Sequence, residues 1–339
     1  MSDEVGWGKR LRHTGEQGLV AVVSAAVQRQ SMERVRAWGE ALGRAAHRVA
    51  TSRRQVAMDN LAHAFPEMPI AERERIVLGM FEHFGRMLLE LIRFRTLSPE
   101  EMLSLTEIEG EEHVVRAYER GKGMIFVGGH IGYWEQQGIE HAVSWKPISI
   151  MVRPLDNPAL HDLLEHIRTR TGNAVIYRQG SIRKVLRALG ENRGVAILID
   201  QHLHATEAVY VNFFGRPAAT TSIVGSLVLR TGAAAVPVFG LPLPGGRYRF
   251  VYGPPVAPPR DDSPEAILEF TQRCTDVIEA YVRKYPELWL WMHRRWRRVP
   301  GQPTAAATEG LAGRGFHLRE DSGGQASPGT AGTDGDPRA

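Results

Sequence analysis

From residue 123 onward, short apolar runs of four to six residues alternate with amphipathic segments, and this alternation narrows the fold more than any other feature of the chain. The runs at 124–128, 147–152, 174–177, 195–199, 208–212, 234–239 and 247–252 read as strands. The segments 133–144, 158–171, 181–191, 218–231 and 264–284 read as helices. Strands and helices in alternation predict an α/β sheet with helices on its faces. Ligands of such sheets sit beyond the carboxyl ends of the strands.

Upstream the period changes. Residues 18–95 place apolar residues three and four apart, as in "MERVRAWGEALGRAAHRVA" and "ERERIVLGMFEHFGRMLLELIRF", with "FPEMP" at 65–69 as a breaker. After residue 299 large apolar residues nearly vanish and Gly, Ala, Ser, Thr and Pro take over. The expected organisation is therefore a helical, membrane-proximal region over 1–95 packed on the core, an α/β core over 96–299, and a disordered tail over 300–339. No run reaches the roughly 18 to 20 apolar residues that cross a bilayer. "GLVAVVSAAV" (18–27) follows Arg10, Arg12 and His13 and has the charge pattern of a signal peptide without a convincing cleavage site, so a helix lying on a membrane or packed on the domain is expected.

The net charge of +4 suits an anionic membrane surface, a phosphorylated substrate or a nucleic acid. No recognition-helix or RNA-platform pattern accompanies it, so nucleic acid is not an expected partner. The single cysteine, Cys274, rules out an internal disulfide and a cysteine-rich metal site, and points to a reducing compartment. "HLH" at 202–204 lacks a third ligand, so no metal and no cofactor is expected.

The stretch "MIFVGGHIGYWEQQG" (124–138) carries the chemistry. Its strand delivers Gly129 and His130 to the carboxyl edge of the sheet, and Glu135 follows five positions later. Residues five apart diverge by roughly 140° on one helix, so the pair converges only if His130 lies in the turn and Glu135 in the first turns of the helix beyond. A carboxylate there would fix the imidazole tautomer and raise the basicity of its other nitrogen. That chemistry removes a proton from a hydroxyl or amine that then attacks an activated acyl group. A structural hydrogen bond between the two is the alternative.

"GGHIGYWE" resembles the H-x4-D/E signature of the lysophospholipid acyltransferase superfamily. More closely, the chain resembles the bacterial lipid A biosynthesis acyltransferase family, which also includes phosphatidylinositol mannoside acyltransferases. The resemblance runs through "RRQVAMDNLAHAFPEM" (53–68), "MVRPLDNPALHDLLEHIRTRTGNAVIYRQGSIRKVLRAL" (151–189), "GVAILIDQH" (194–202), "VNFFGRPAATT" (211–221), "RTGAAAVPVF" (230–239) and "YPELWLWMHRRW" (285–296), in order. Two features depart from the family pattern: the amino-terminal apolar run is short and interrupted by Ser24, and Tyr133 stands where many members have asparagine.

The resemblance implies a glycerol-3-phosphate-acyltransferase-like twisted mixed sheet flanked by helices. It implies transfer of a fatty acyl chain from an acyl carrier protein or CoA thioester to a membrane glycolipid or lysolipid, at the cytoplasmic face of a bacterial inner membrane. A lipid A precursor is the leading acceptor, with phosphatidylinositol mannoside or another lysolipid as the alternative, and a non-catalytic lipid-binding scaffold or an esterase as rival readings. By residue, His130 is the general base, and Glu135 or Asp200 stands behind it. No serine or cysteine beside the histidine serves as a nucleophile, so attack on the thioester is direct. Gly129 and Trp134 beside the base, Arg153, Arg178, Arg183, and the trio Phe214, Arg216 and Thr220 are the candidates for substrate binding. Backbone N–H groups near Gly129, or Arg153, are the expected oxyanion donors. "WLWMHRRWRR", with Trp289, Trp291, Trp296, Arg294, Arg295, Arg297 and Arg298, has the composition of an interfacial belt and is a second candidate for membrane contact.

Overall fold

The computed structural model describes residues 18, 20–155, 157–177, 180–203 and 208–297. The expected tail and Arg298 lie outside them, as do Arg178 and His204. Four helices open the described chain: α1 (20–28), α2 (Met32–Val49), α3 (Thr51–Ala64) and α4 (Ile70–Phe94). The break between α3 and α4 falls on "FPEMP". α1 turns Val27 and, in part, Val20 and Val23 onto the core and leaves Val22 exposed, so this short apolar run packs on the domain.

α2 and α4 cross at very short range because glycines face each other. A Cβ on Gly43 would stand 2.2 Å from the Phe81 carbonyl oxygen, and one on Gly85 would stand 2.1 Å from that of Gly39. Ion pairs from Arg36 to Glu90, Arg44 to Glu82 and Arg86 to Glu40 frame the crossing.

Beyond a short helix α5 (Pro99–Ser104), capped by a reciprocal Ser98–Glu101 box, the sheet begins. Its strands are β1 (Thr106–Glu109), β2 (Met124–Gly128), β3 (Ser149–Val152), β4 (Ala174–Tyr177), β5 (Gly194–Leu198), β8 (Ala234–Leu243) and β9 (Arg247–Tyr252), while β6 (Ala208–Phe213) and β7 (Arg216–Thr221) form a separate hairpin. The helices between them are α6 (Glu111–Glu119), α7 (Trp134–Ser144), α8 (Pro158–Thr169), α9 (Ser181–Gly190), α10 (Ile223–Thr231) and α11 (Pro264–Lys284). The strand order is β1-β9-β8-β2-β5-β3-β4. β8, β2, β5, β3 and β4 run parallel, and β9 and β1 run against them, which makes the sheet mixed. β2 lies at the centre with all five residues buried, which is why its sequence is an uninterrupted apolar run. β5 is its neighbour in register, Gly128 opposite Leu198, so whatever follows the two strands emerges side by side.

Two readings change. The expected helix over 218–231 starts only at Ile223, because Arg216–Thr221 pairs with Ala208–Phe213 instead. The turn between these strands is the two-residue step Phe214-Gly215, both at positive φ, as the right-handed twist of a tight hairpin requires. The strand Thr106–Glu109 and the helices α5 and α6 were not anticipated; β1 is a short, half-exposed edge strand with charged residues at alternate positions.

Gly43→Ala is expected to cost about 1–3 kcal/mol through overpacking against backbone that has no rotamer to yield. Gly190→Ala, where a Cβ meets nothing within 4 Å, is expected to stay within about 0.5 kcal/mol of the parent. Urea unfolding of the two variants checks the contrast.

Candidate active site

β2 ends in Gly128 and continues through Gly129 into His130. A Cβ on Gly129 would lie 3.0 Å from Asp200 Oδ2, so the missing side chain is what lets the carboxylate come up beneath the turn. Asp200 sits just past the end of β5 and is buried. The His130 ring lies with Nδ1 2.7 Å from Asp200 Oδ1, the His130 backbone N–H donates to Oδ2 at 2.7 Å, and the Trp289 indole N–H donates to Oδ2 at 2.8 Å. Burial alone would push this carboxyl up. The charge of His130, the hydrogen bonds from it and the Trp289 indole outweigh burial and hold it at about 2. An ionised carboxylate on Nδ1–H leaves the lone pair of His130 on Nε2. That side chain is 22% exposed against 2% for Asp200, so the pair opens outward from the sheet edge.

The turn carrying His130 is held from several sides. Gly132 N–H donates to the Leu288 carbonyl at 2.9 Å, Tyr133 N–H to that of Gly240 at 2.8 Å, and Leu290 N–H to that of His130 at 3.1 Å. Gly132 has φ +62°, and a Cβ there would overlap the Gly240 carbonyl oxygen at 1.8 Å. Buried His83 of α4 has Nε2 3.2 Å from the Gly132 carbonyl; burial pushes its imidazole down to about 3, so it is neutral and donates there. Tyr133, at the departure from the family pattern, packs edge-on against His83 and Tyr248.

Of the two carboxylates proposed behind the base, Glu135 is elsewhere. Placed in the first turn of α7, it is taken by Arg168 of α8 in a bidentate pair, with Nε to Oε2 at 2.8 Å and a second bond from Nη2 to Oε1. Asp200 is the acid on His130 because β5 is the strand next to β2.

Trp134 lies edge-on to the His130 ring at 5.3 Å. Arg153 follows β3 and Arg183 lies in the first turn of α9; both are exposed at the edge where β2 and β5 end. Two other candidates are buried and one is half-buried. Phe214 is buried at the hairpin turn with its ring under Arg283, 4.4 Å away, and Thr220 is fully buried, donating to the Ala218 carbonyl. Arg216 is half-buried opposite Phe213, and burial pushes its guanidinium down.

The aromatic and basic block near the carboxyl end is split: Arg294 and Arg297 are exposed and Trp296 is half-buried, while three of the residues assigned to a membrane belt are interior. Trp289, Trp291 and Arg295 are almost completely buried, and the indoles pack on each other at 4.6 Å, with Trp289 5.5 Å from Phe213 and Trp291 5.9 Å from Phe214. Arg295 donates to the carbonyls of Gln201 and Ala219 and to the Thr220 hydroxyl. Burial pushes it down to about 10, Asp200 pulls it back, and it stays a cation at neutral pH. Sequence reasoning missed this supporting set, together with Arg168, His83 and Gln201, whose amide nitrogen lies 3.2 Å from His130 Nε2. Gln201 stood in plain view beside Asp200 in "DQH"; the rest carry no local signal.

An imidazole open to solvent, oriented by a buried acid and, among the described residues, bonded at its ring by Asp200 and Gln201 alone, suits direct attack by a hydroxyl or by water on an acyl carbon. Residues 6–298 match the family described as bacterial lipid A biosynthesis acyltransferase, and the chain belongs to that family. It is an acyltransferase of lipid A biosynthesis. The lipid A biosynthesis lauroyltransferase of Escherichia coli (strain K12) is 28% identical over 264 residues, covering 77% of this chain and 85% of that one. The myristoyltransferase of the same organism is 26% identical over 263 residues, covering 77% and 80%. A lipid A biosynthesis acyltransferase of Haemophilus influenzae is 25% identical over 244 residues, covering 72% and 75%. The crystal structure of the 1-acyl-sn-glycerophosphate acyltransferase PlsC from Thermotoga maritima gives a TM-score of 0.34 at 13% identity, over 75% of this chain and 96% of that one, too distant to inform the site.

Asp200 is depressed in the folded state from an unfolded value of about 3.9, so its contribution is full above that pH and is lost as pH falls through about 2. Trp289→Phe keeps an aromatic ring in the cluster but removes one donor, which narrows the gap, and leaves a small void where the larger indole was. The expected result is a loss of about 1.5–3 kcal/mol at neutral pH and an acid-unfolding midpoint at higher pH, read by far-UV circular dichroism.

Proposed function

We propose that this protein transfers a fatty acyl chain from an acyl carrier protein or CoA thioester to a hydroxyl of a membrane glycolipid, a lipid A precursor, with His130 as general base and Asp200 as its orienting acid. The observation that carries this reading is the 2.7 Å contact of His130 Nδ1 with Asp200, which leaves Nε2 at the open edge of the sheet. The acceptor hydroxyl gives its proton to Nε2 as its oxygen attacks the thioester carbon. The tetrahedral adduct collapses, the C–S bond breaks, and the departing thiolate takes the proton from Nε2. Asp200 keeps the imidazole in the required tautomer and stabilises the imidazolium between the two steps without itself being protonated.

Exposed Arg153 and Arg183, with exposed Leu155 and Ile182 beside them in sequence, support approach from an anionic lipid surface, where cations meet phosphates and apolar side chains enter the headgroup layer. Among the described residues no helix is long and apolar enough to cross a membrane; the proposed place of work is the cytoplasmic face of the inner membrane, where the thioester donors are. The donor cargo is the open part: relatives of nearly equal identity are named for lauroyl, myristoyl and palmitoleoyl transfer, so overall similarity does not select a chain length.

Mass spectrometry of total lipids from host cells carrying wild-type, deleted and His130→Ala forms tests the reading. The expected result is one glycolipid class lacking a single acyl chain in both mutants. A lipid profile that depends on the protein but not on His130 would favour a scaffold over an enzyme. In the purified enzyme, Asp200→Asn is expected to lower kcat about 10³- to 10⁴-fold by stabilising the wrong tautomer, with the donor KM little changed.

A further inference from the structure

The tetrahedral adduct places a negative charge on the former carbonyl oxygen, and a preorganised donor must meet it within about 3 Å. Five backbone donors around His130 are engaged. His130 N–H is given to Asp200, Ile131 N–H to the Gly129 carbonyl, Gly132 N–H to Leu288, Tyr133 N–H to Gly240, and Leu290 N–H to His130 itself. Arg153 leaves β3, which is two strand spacings from β2, about 10 Å across the sheet.

One side-chain donor already stands at the reacting atom. The Gln201 amide nitrogen lies 3.2 Å from His130 Nε2, and since an amide nitrogen only donates, it fills the lone pair that the acceptor hydroxyl must later occupy. Its backbone is not free to drift. Asp200 precedes it, bound by His130 and Trp289, and its own carbonyl accepts from buried Arg295 at 3.2 Å. The side chain itself is exposed and can rotate off Nε2 when substrate arrives.

We infer that Gln201 is a further catalytic residue: its carboxamide N–H, displaced from His130 Nε2 by the acceptor hydroxyl, donates to the oxyanion of the thioester adduct. This rests on the acyl-transfer reading above. The amide donates a hydrogen bond and transfers no proton. As the acceptor oxygen bonds to carbon, the carbonyl π pair becomes the oxyanion held by Gln201; as that pair returns, the C–S bond breaks and Nε2–H protonates the sulfur. Arg295 is a positioning residue for this group.

The experiment uses the full chain with dodecanoyl-CoA or dodecanoyl-acyl carrier protein as donor and a tetra-acylated diglucosamine bisphosphate as acceptor in mixed micelles, reading thiol release and acylated product. Gln201→Ala is expected to lower kcat about 10²- to 10³-fold while the donor KM moves less than about threefold. Gln201→Met, equal in length but without a donor, is expected to match it and answers the question should the alanine variant fold poorly. Gln201→Glu is expected to be as slow, with the acid limb of its kcat/KM profile at higher pH, because a negative charge beside Nε2 favours the imidazolium. Alanine and methionine variants that keep kcat within about threefold of wild type, or that lose activity through KM alone, overturn the inference. A wild-type enzyme that releases no thiol from either carrier, charged in turn with lauroyl, myristoyl and palmitoleoyl chains, or a His130→Ala variant as fast as wild type, overturns the acyl-transfer reading itself.

Discussion

A carboxylate removed from water must be met by donors or be neutralised, and the geometry around Asp200 follows from that requirement. Its donors come from distant parts of the chain: the ring and N–H of His130 at the end of β2, and the indole of Trp289 near the carboxyl terminus. Satisfying the charge therefore draws these segments to one point. The isolated bridge between Ile131 and Trp289 and the bonds from Gly132 to Leu288 and from Leu290 to His130 stitch them together along their backbones. Arg295 then supplies a buried positive charge near Asp200 while its own bonds go to neutral oxygens. An interior cation bonded in this way is costly unless a nearby anion offsets it, so the two buried charges stabilise one another without touching.

The helical amino-terminal region reaches the site as well. α4 brings His83 under the Gly132 carbonyl and Glu90 into a buried cluster with Arg36, Tyr133 and Tyr248. Burial pushes the Glu90 carboxyl up, against the pull of Arg36 and the tyrosines. Because Arg36 belongs to α2, the close glycine crossing of α2 on α4 decides whether that guanidinium can reach Glu90. The orientation of Tyr133, three residues past His130, thus depends on helix packing that begins about a hundred residues earlier.

Much of this was legible in the sequence, and the parts that were not share a cause. The buried apolar run of β2, its glycines, His130 and Asp200 are local signals, and the strand–helix order places both residues at the same edge. Which carboxylate meets the histidine is a question of strand order, and no spacing within a segment records that β5 lies next to β2. Tryptophans mixed with arginines look alike in a membrane belt and in a buried cluster; only the contacts of Trp289, Trp291 and Arg295 with β6, β7 and Asp200 separate the two. Ala218, Ala219, Thr220 and Thr221 suit helix or strand, and the positive φ of Phe214 and Gly215 decides for the hairpin.

The spacing from His130 to Glu135 acquires a different meaning once the pair is seen apart. Glu135 is the first acidic residue of α7, the helix that leaves the base, and Arg168 lies in the last turn of α8, the helix that follows the Arg153 loop. Both side chains are about one-tenth exposed, and a planar guanidinium bound at two points to a carboxylate fixes orientation as well as distance. The ion pair therefore ties the wall carrying Arg153 to the wall carrying His130. A carboxylate five residues after the histidine thus acts on helix packing, joining α7 to α8, while the imidazole is held from the neighbouring strand by Asp200.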